Sequence, residues 1–87
     1  MKIMLSWTVR PEDRDESLKR LNAVDDIAGE GIRVLGHWHN VNLLEGWAVV
    51  EADSEAAFAK WMMGWTDLNV NEATPVIDLD ELRALTS

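Results

Sequence analysis

The stretch GIRVLGHWHNVNLLEGWAVVEAD, residues 31–53, decides the fold because it contains two strand-like segments and a polar connection. Segments 32–41 and 46–53 are rich in β-branched and aromatic residues, and each alternates with a period of two. The connection over residues 41–46 is short enough to join them as an antiparallel hairpin. We therefore predict that these segments are the second and third strands of one sheet.

The chain before this hairpin predicts a strand followed by a helix. The segment KIMLSWTV, residues 2–9, alternates in the same way and stops at Pro11, which suits the first position of a helix. The acidic residues within positions 12–16 favour a helix N-terminus. The apolar residues that follow have helical spacing, and two glycines end the segment: Leu18, Leu21, Val24, Gly29 and Gly31.

The chain after the hairpin predicts a second helix and a fourth strand. Ser54 or Asp53 caps a helix over EAAFAKWMMGW, residues 55–65. The segment VNEATPVID, residues 70–78, reads as a strand, and Pro75 places it at a sheet edge because proline cannot donate a ladder hydrogen bond. Residues 79–87 form a C-terminal tail or a short helix. The inner face of the second helix is expected to carry Ala57, Phe58, Trp61, Met62 and Trp65.

This order of elements, β-α-β-β-α-β, is that of the ferredoxin-like fold. We predict a single α+β domain over residues 1–87, with a four-stranded antiparallel sheet and both helices on one of its faces. Right-handed crossovers place the first and third strands in the centre of that sheet.

The alternation of each strand leaves two choices of face, and the burial of charge decides between them. One choice puts Ser6, Arg33, both histidines, Glu51 and Glu72 under the helices, which is costly without partners. We therefore predict a helix-covered face made of Ile3, Leu5, Trp7, Val9, Ile32, Val34, Gly36, Trp38, Ala48, Val50, Ala52, Ala73, Pro75 and Ile77. The open face then carries Met4, Ser6, Thr8, Arg33, Leu35, His37, His39, Trp47, Val49, Glu51, Glu72, Thr74 and Val76.

Composition excludes several classes of protein. The net charge is −8, from 16 acidic and 8 basic residues, and most of the excess lies after residue 44. An acidic domain without a basic stripe predicts neither a nucleic-acid partner nor an anionic membrane surface. The absence of cysteine excludes disulfides, thiol catalysis and thiolate metal sites. No apolar run approaches the ~20 residues of a membrane span, and we expect a cytoplasmic protein.

Five segments resemble a known family: KIMLSWTV, GIRVLGHWH, GWAVVEAD, W…MGWTDL and EATPV. They resemble, over about residues 1–78, the family called domain of unknown function 3303. That family usually has arginine in place of His37, in a GRWH motif, and often glutamate in place of Ser6, whereas His39 matches its motif. The resemblance implies a ferredoxin-like unit similar to the dimeric α/β-barrel proteins, whose functions include several enzymes and ligand sensors. Fold likeness of this kind does not fix an activity.

The predicted open face is too apolar for plain solvent and too polar for a dry core, which is typical of a dimer interface or a ligand cavity. We predict a homodimer whose facing sheets enclose a pocket for a small organic ligand, without a cofactor. His39 is the candidate catalytic group, because an imidazole exchanges a proton near neutral pH. The candidate ligand-binding residues are Ser6, Thr8, His37, Trp47, Glu51 and Glu72.

Two other hypotheses stay open, and so does the question of whether the protein is an enzyme. In one, the protein is a non-catalytic interaction or accessory protein whose open face is only a dimer interface. In the other, His37 and His39, about 6.5–7 Å apart on a regular strand, bind a metal with Glu51. Two histidines without cysteine are a weak metal signal, so we predict no metal site. A β-bulge near Gly36 would move both histidines to the other face.

Overall fold

The computed structural model describes residues 1–24 and 26–87. Four strands form one fully antiparallel sheet in the order β2-β3-β1-β4. The strands are β1 (Lys2–Val9), β2 (Ile32–His39), β3 (Glu45–Ala52) and β4 (Asn69–Val76). The predicted α+β, ferredoxin-like arrangement is confirmed, with β1 and β3 central and the proline-containing β4 at an edge.

The helices begin where the sequence places their caps. A 3-10 turn (Pro11–Asp13) leads into α1 (Arg14–Asn22), and α2 (Glu55–Met62) and α3 (Leu79–Thr86) follow β3 and β4. Ser54 Oγ accepts a hydrogen bond from the Ala57 amide at 3.1 Å and caps α2. Asp78 Oδ1 caps α3 by accepting from the Glu81 amide at 2.8 Å, and the Glu81 side chain accepts from the Asp78 amide at 3.3 Å. Among the described residues, no helix is long and apolar enough to cross a membrane.

Some predicted ends were wrong by several residues. Strand β2 ends at His39 rather than residue 41, because Asn40 turns the chain and its Oδ1 accepts from the Glu45 amide at 3.1 Å. Helix α1 ends at Asn22 instead of continuing towards the glycines. Helix α2 ends at Met62, where the chain enters the turn that contains Gly64.

The core lies between the sheet and α2. Its buried side chains come from the three neighbouring strands β1, β2 and β3, and α2 packs onto them. The Trp61 indole Nε1 donates to the Ile27 carbonyl at 2.8 Å, which ties the segment before β2 to α2. The buried set is Ile3, Leu5, Ile32, Ala48, Val50 and Ala52, with Trp7, Val34, Ala57, Phe58, Trp61 and Met62 packed against it.

A β-bulge in β2 changes which residues face the helices. Val34 pairs with Val50 and Gly36 pairs with Val49, so Leu35 is an extra residue in the ladder. After Leu35, each residue of β2 therefore faces the side of the sheet opposite to the one it would face in a regular strand. The prediction that Trp38 lies under the helices and that His37 and His39 lie on the open face was therefore wrong.

Two glycines make room for tryptophans, one on each face of the sheet. On the helix side, the Trp7 indole crosses Gly46, where an added Cβ would lie only 2.9 Å from Trp7 Nε1. On the open face, the Trp38 ring folds back over Gly36, where an added Cβ would lie 2.8 Å from Trp38 Cζ3. Because Trp7 fills the helix-side volume over β3, the histidines pack beside it and the larger Trp38 indole lies outside.

The helix side of β4 is only partly covered. Ala73, Pro75 and Ile77 were expected under the helices, but all three are exposed. Helix α1 is only ~14 Å long, whereas an eight-residue strand spans ~27 Å. Helix α1 is therefore too short to cover the full length of β4. Helix α3 extends from this end of the sheet, held by Lys2 Nζ, which bonds Asp78 Oδ2 at 3.1 Å.

Candidate functional site

Trp7 and the two histidines form one aromatic cluster on the helix side of the sheet. The centroid of the Trp7 ring lies 5.5 Å from that of His37 and 5.7 Å from that of His39, both with edge-to-face geometry. The two imidazole centroids are 4.7 Å apart. The cluster spans three strands, because Trp7 of β1 reaches across Gly46 of β3 to the histidines of β2.

This cluster forms part of the wall of a cavity between the sheet and helices α1 and α2. The cavity has a volume of about 50 Å³, is partly open to solvent, and reaches the end of the sheet where β1 and β2 end, at Val9 and His39. Most of its wall is apolar, and the polar groups come from α1, β2 and β4. It is lined by Leu5, Trp7, Val9, Arg14, Ser17, Leu18, Leu21, Ile27, His37, His39, Leu43, Ala48, Trp61, Met62, Trp65, Asn69 and Asn71.

Local hydrogen bonds fix the polar side of the cavity. Asn69, the first residue of β4, is buried and lies within 3.4 Å of the Ser17 hydroxyl of α1 through its Oδ1. Asn71 Nδ2 donates to the Asn69 carbonyl at 3.2 Å. Arg20 connects α1 to the segment between α2 and β4, because its guanidinium donates twice to Asp67, at 2.7 and 3.1 Å. The sequence therefore holds α1 against the start of β4 by side-chain bonds.

The environment of His37 disfavours its charged form. Partial burial lowers the pKa of His37 below its ordinary value, and the neighbouring His39 imidazole lowers it further. A neutral imidazole has one N–H donor and one acceptor nitrogen. The inner end of the cluster can therefore donate to and accept from a bound molecule without a permanent charge.

The structure divides the sequence-predicted site residues between two faces. Ser6, Thr8, Trp47, Glu51 and Glu72 lie on the open face, as expected from their strand positions. His37 and His39 lie on the other face, where they line the cavity. The prediction of one site that contains all seven residues was therefore wrong in its geometry, and none of their individual roles is tested by the fold.

Glu51 is not beside a histidine. It pairs across the hairpin with Arg33 and not with a histidine, and its Oε1 lies 3.1 Å from the amino nitrogen of Met1. Glu51 and Glu72 are on the open face, so neither carboxylate can orient His39 across the sheet. Among residues 1–24 and 26–87, no group of three or more His, Cys, Asp or Glu side chains has metal-binding geometry.

The open face is a continuous apolar surface with polar groups within it. Ser6 lies in its centre, between Trp47 of β3 and Glu72 of β4. Trp38 and Trp47 are cross-strand partners with 57% and 39% of their surfaces exposed. Met4, Leu35 and Val70 add further large exposed apolar side chains. A surface of this kind on a small domain is typical of a protein interface.

The sequence-based reasoning missed four polar residues of the cavity: Arg14, Ser17, Asn69 and Asn71. In the predicted topology the start of α1, the end of β2 and the start of β4 meet at one end of the sheet. That juxtaposition was a usable signal for Arg14 and the two asparagines.

One family model matches the chain, over residues 1–87, and its description is Domain of unknown function (DUF3303). The match extends the resemblance noted over about residues 1–78 to the full length given. No curated protein matches the chain.

Proposed function

We propose that this chain, which belongs to the family described as Domain of unknown function (DUF3303), is a homodimeric protein that binds a small organic molecule. The ligand occupies the cavity between the sheet and the helices, and the open faces of two copies form the dimer interface. The proposal includes a cytoplasmic location and no resident cofactor. A second pocket between two open faces, which the sequence predicts, stays a prediction.

The observation that carries the ligand site is the Trp7–His37–His39 cluster at the wall of an otherwise apolar cavity. Ligand sites in proteins are concave and mostly apolar, with a few polar groups that fix the orientation of the ligand. Here the imidazoles and the amides of Asn69 and Asn71 supply such groups, and Trp7 supplies a flat apolar surface. Paired edge-to-face rings restrict one another, so the wall is ordered before a ligand binds.

His39 is the group best placed for acid–base chemistry if the bound molecule reacts. It is the more exposed of the two histidines and lies at the last position of β2, in the wall of the cavity. An imidazole in that place can exchange a proton with a ligand and with solvent. The proposal of ligand binding does not depend on this reaction.

The homodimer is supported by the composition of the open face. Its apolar residues span all four strands, and it carries both signs of charge, with Lys2 and Arg33 opposite Glu51 and with Glu72 opposite Ser6. A two-fold interface must be complementary to itself, and a surface with both signs meets that requirement. The rest of the molecule has an acidic excess, so contact between other faces is disfavoured.

The ligand site can be tested by filling the cavity. Leu18 lines the cavity, so Leu18→Phe should occupy part of its volume, whereas Leu82→Phe places the same ring on the exposed side of α3. We would measure binding of small organic probes by the NMR shifts of the Trp7 and histidine ring protons. Leu18→Phe should reduce those shifts and Leu82→Phe should leave them unchanged. If no probe shifts these protons in the unsubstituted protein, the ligand-site proposal fails.

The dimer can be tested separately by sedimentation velocity. Trp38→Glu places a charge on the open face beside Trp47, and Met63→Glu places one on an exposed apolar residue after α2. We expect a dimer for the unsubstituted chain and for Met63→Glu, and a monomer for Trp38→Glu. A monomer at every concentration for the unsubstituted chain would contradict the dimer. A dimer that binds no probe would favour the alternative of a non-catalytic interaction protein.

A further inference from the structure

The described residues that line the cavity include basic side chains and no acidic one. Acidic residues make up 16 of the 87 in the chain, yet none of the described residues that line the cavity is acidic. The only permanently charged lining group is Arg14, and the only titratable ones besides it are His37 and His39. In a chain of net charge −8, the described wall of the cavity therefore carries one cation, Arg14, and no carboxylate.

We infer that the ligand of this cavity is a short-chain monocarboxylate, with its anionic group at Arg14 and its apolar chain against Trp7. This inference rests on the proposed ligand-binding function and names the chemical class of the ligand. A carboxylate is the planar anion that an arginine fork recognises with two parallel hydrogen bonds.

Arg14 is available for such a bond. Its Nε and Nη2 atoms donate to Asp15 Oδ1 at 3.0 and 2.9 Å, and the side chains are 47% exposed for Arg14 and 86% exposed for Asp15. An exposed pair between sequence neighbours is weak and exchanges readily with another anion. Arg20, by contrast, is bound by two oxygens of Asp67 and by the Gly64 carbonyl. Of these two arginines on α1, Arg14 is therefore the one whose exposed carboxylate partner an incoming anion can displace.

The size of the cavity limits the apolar part of the ligand. An engineered cavity of about 150 Å³ holds one benzene molecule. A cavity of about 50 Å³ therefore has room for a chain of only a few carbon atoms. Because Arg14 is exposed at the start of α1, the carboxylate end of such a ligand stays near solvent while the chain enters. This geometry favours a short aliphatic acid over an aromatic one.

The test compares two probes of equal size, butyrate and butyramide, by NMR titration of the full chain. We expect butyrate to bind at least tenfold more tightly than butyramide, because only the acid carries a charge at Arg14. Arg14→Gln should lower the butyrate affinity to that of the amide, and Arg14→Lys should restore part of it. Arg83→Gln removes the same charge from α3 and should change neither affinity.

The outcomes separate this inference from the function it rests on. If butyramide binds as tightly as butyrate, or if Arg14→Gln leaves the butyrate affinity unchanged, the carboxylate assignment is overturned while the ligand site stands. If neither probe shifts the Trp7 and histidine protons, and neutral alkanes and alcohols of the same length also fail, both proposals fall.

Discussion

The Trp7 indole lies directly across the backbone of Gly46, and an added Cβ at residue 46 would overlap its ring. These two residues are neighbours in the ladder between the central strands β1 and β3. The contact lets Trp7 pass over β3 and reach the histidines of β2. One wall of the cavity therefore depends on the absence of a side chain at residue 46.

Gly46→Ala should destabilise the fold by about 1–3 kcal/mol, because the new methyl group must displace the Trp7 ring in a packed layer. Urea unfolding would give the change in the free energy of unfolding. Gly64→Ala is the matched control, since its Cβ would meet only the Trp61 carbonyl at 3.4 Å. In combination with Trp7→Leu, the cost of Gly46→Ala should shrink. Equal costs of Gly46→Ala in both backgrounds would contradict the contact.

Stability should fall as the pH is lowered through the titration of His37. Burial and the neighbouring His39 lower the folded-state pKa of His37 below its ordinary value of 6.5. The unfolded chain therefore takes up the proton first, and the folded state loses relative stability as the pH falls from 6.5 through the lowered pKa. Well above pH 6.5 His37 is neutral in both states, and its contribution does not change with pH.

The check is urea unfolding between pH 7.5 and 5.5, above the range in which most carboxylates titrate. His37→Gln should flatten the pH dependence. His39→Gln should flatten it only partly, because burial, the larger cause of the lowered His37 pKa, remains. Unchanged slopes for His37→Gln would exclude His37 as the source of the pH dependence.

Trp61→Phe should cost about 1 kcal/mol beyond the loss of buried area, because it removes the hydrogen bond to the Ile27 carbonyl. Hydrogen exchange of the amides in 26–31 should accelerate, since this bond ties that segment to α2. Trp65→Phe makes the same truncation at another tryptophan of the cavity wall and should leave those amides unaffected. Equal acceleration in both variants would argue against the bond.

Asp78→Ala should unfold α3 without unfolding the domain. The substitution removes the capping box with Glu81 and the ion pair with Lys2, and each residue of α3 is exposed. Amides of 79–86 should exchange faster by hydrogen-exchange mass spectrometry. The free energy of unfolding, measured with urea, should change by less than ~0.5 kcal/mol. Ser54→Ala is the contrast, because α2 covers the core and loss of its cap should lower the global stability by ~1 kcal/mol.

The hairpin, the strand order and the edge position of Pro75 could be predicted because each depends on local signals. Alternation, turn length and the missing proline amide are all visible in the sequence. The faces of β1 and β3 could be predicted as well, since only one phase of each keeps charge out of the core. These strands place Ser6, Thr8, Trp47 and Glu51 where the sequence puts them.

The face of the two histidines could not be predicted from alternation, because β2 fits either phase once a bulge is allowed. The choice depends on Trp7, which is 30 residues away from His37 in the sequence and occupies the volume over Gly46. The cavity is similarly nonlocal. Its polar groups at Arg14, Asn69 and Asn71 come from separate elements and meet only when the chain is folded.

The bulge at Leu35 also has a consequence for comparing this chain with its relatives. Residues 32–34 pair with 52–50, and residues 36–39 pair with 49–46, so removing Leu35 joins two runs whose partners are already in place. A relative one residue shorter at this point would present the same side chains to the cavity and to the outside. In a relative of equal length with a regular strand, the residue at position 38 would face the cavity, and the residues at positions 37 and 39 would face the outside. An alignment of such chains must therefore place the gap at residue 35 before residue identities at 37–39 can be compared.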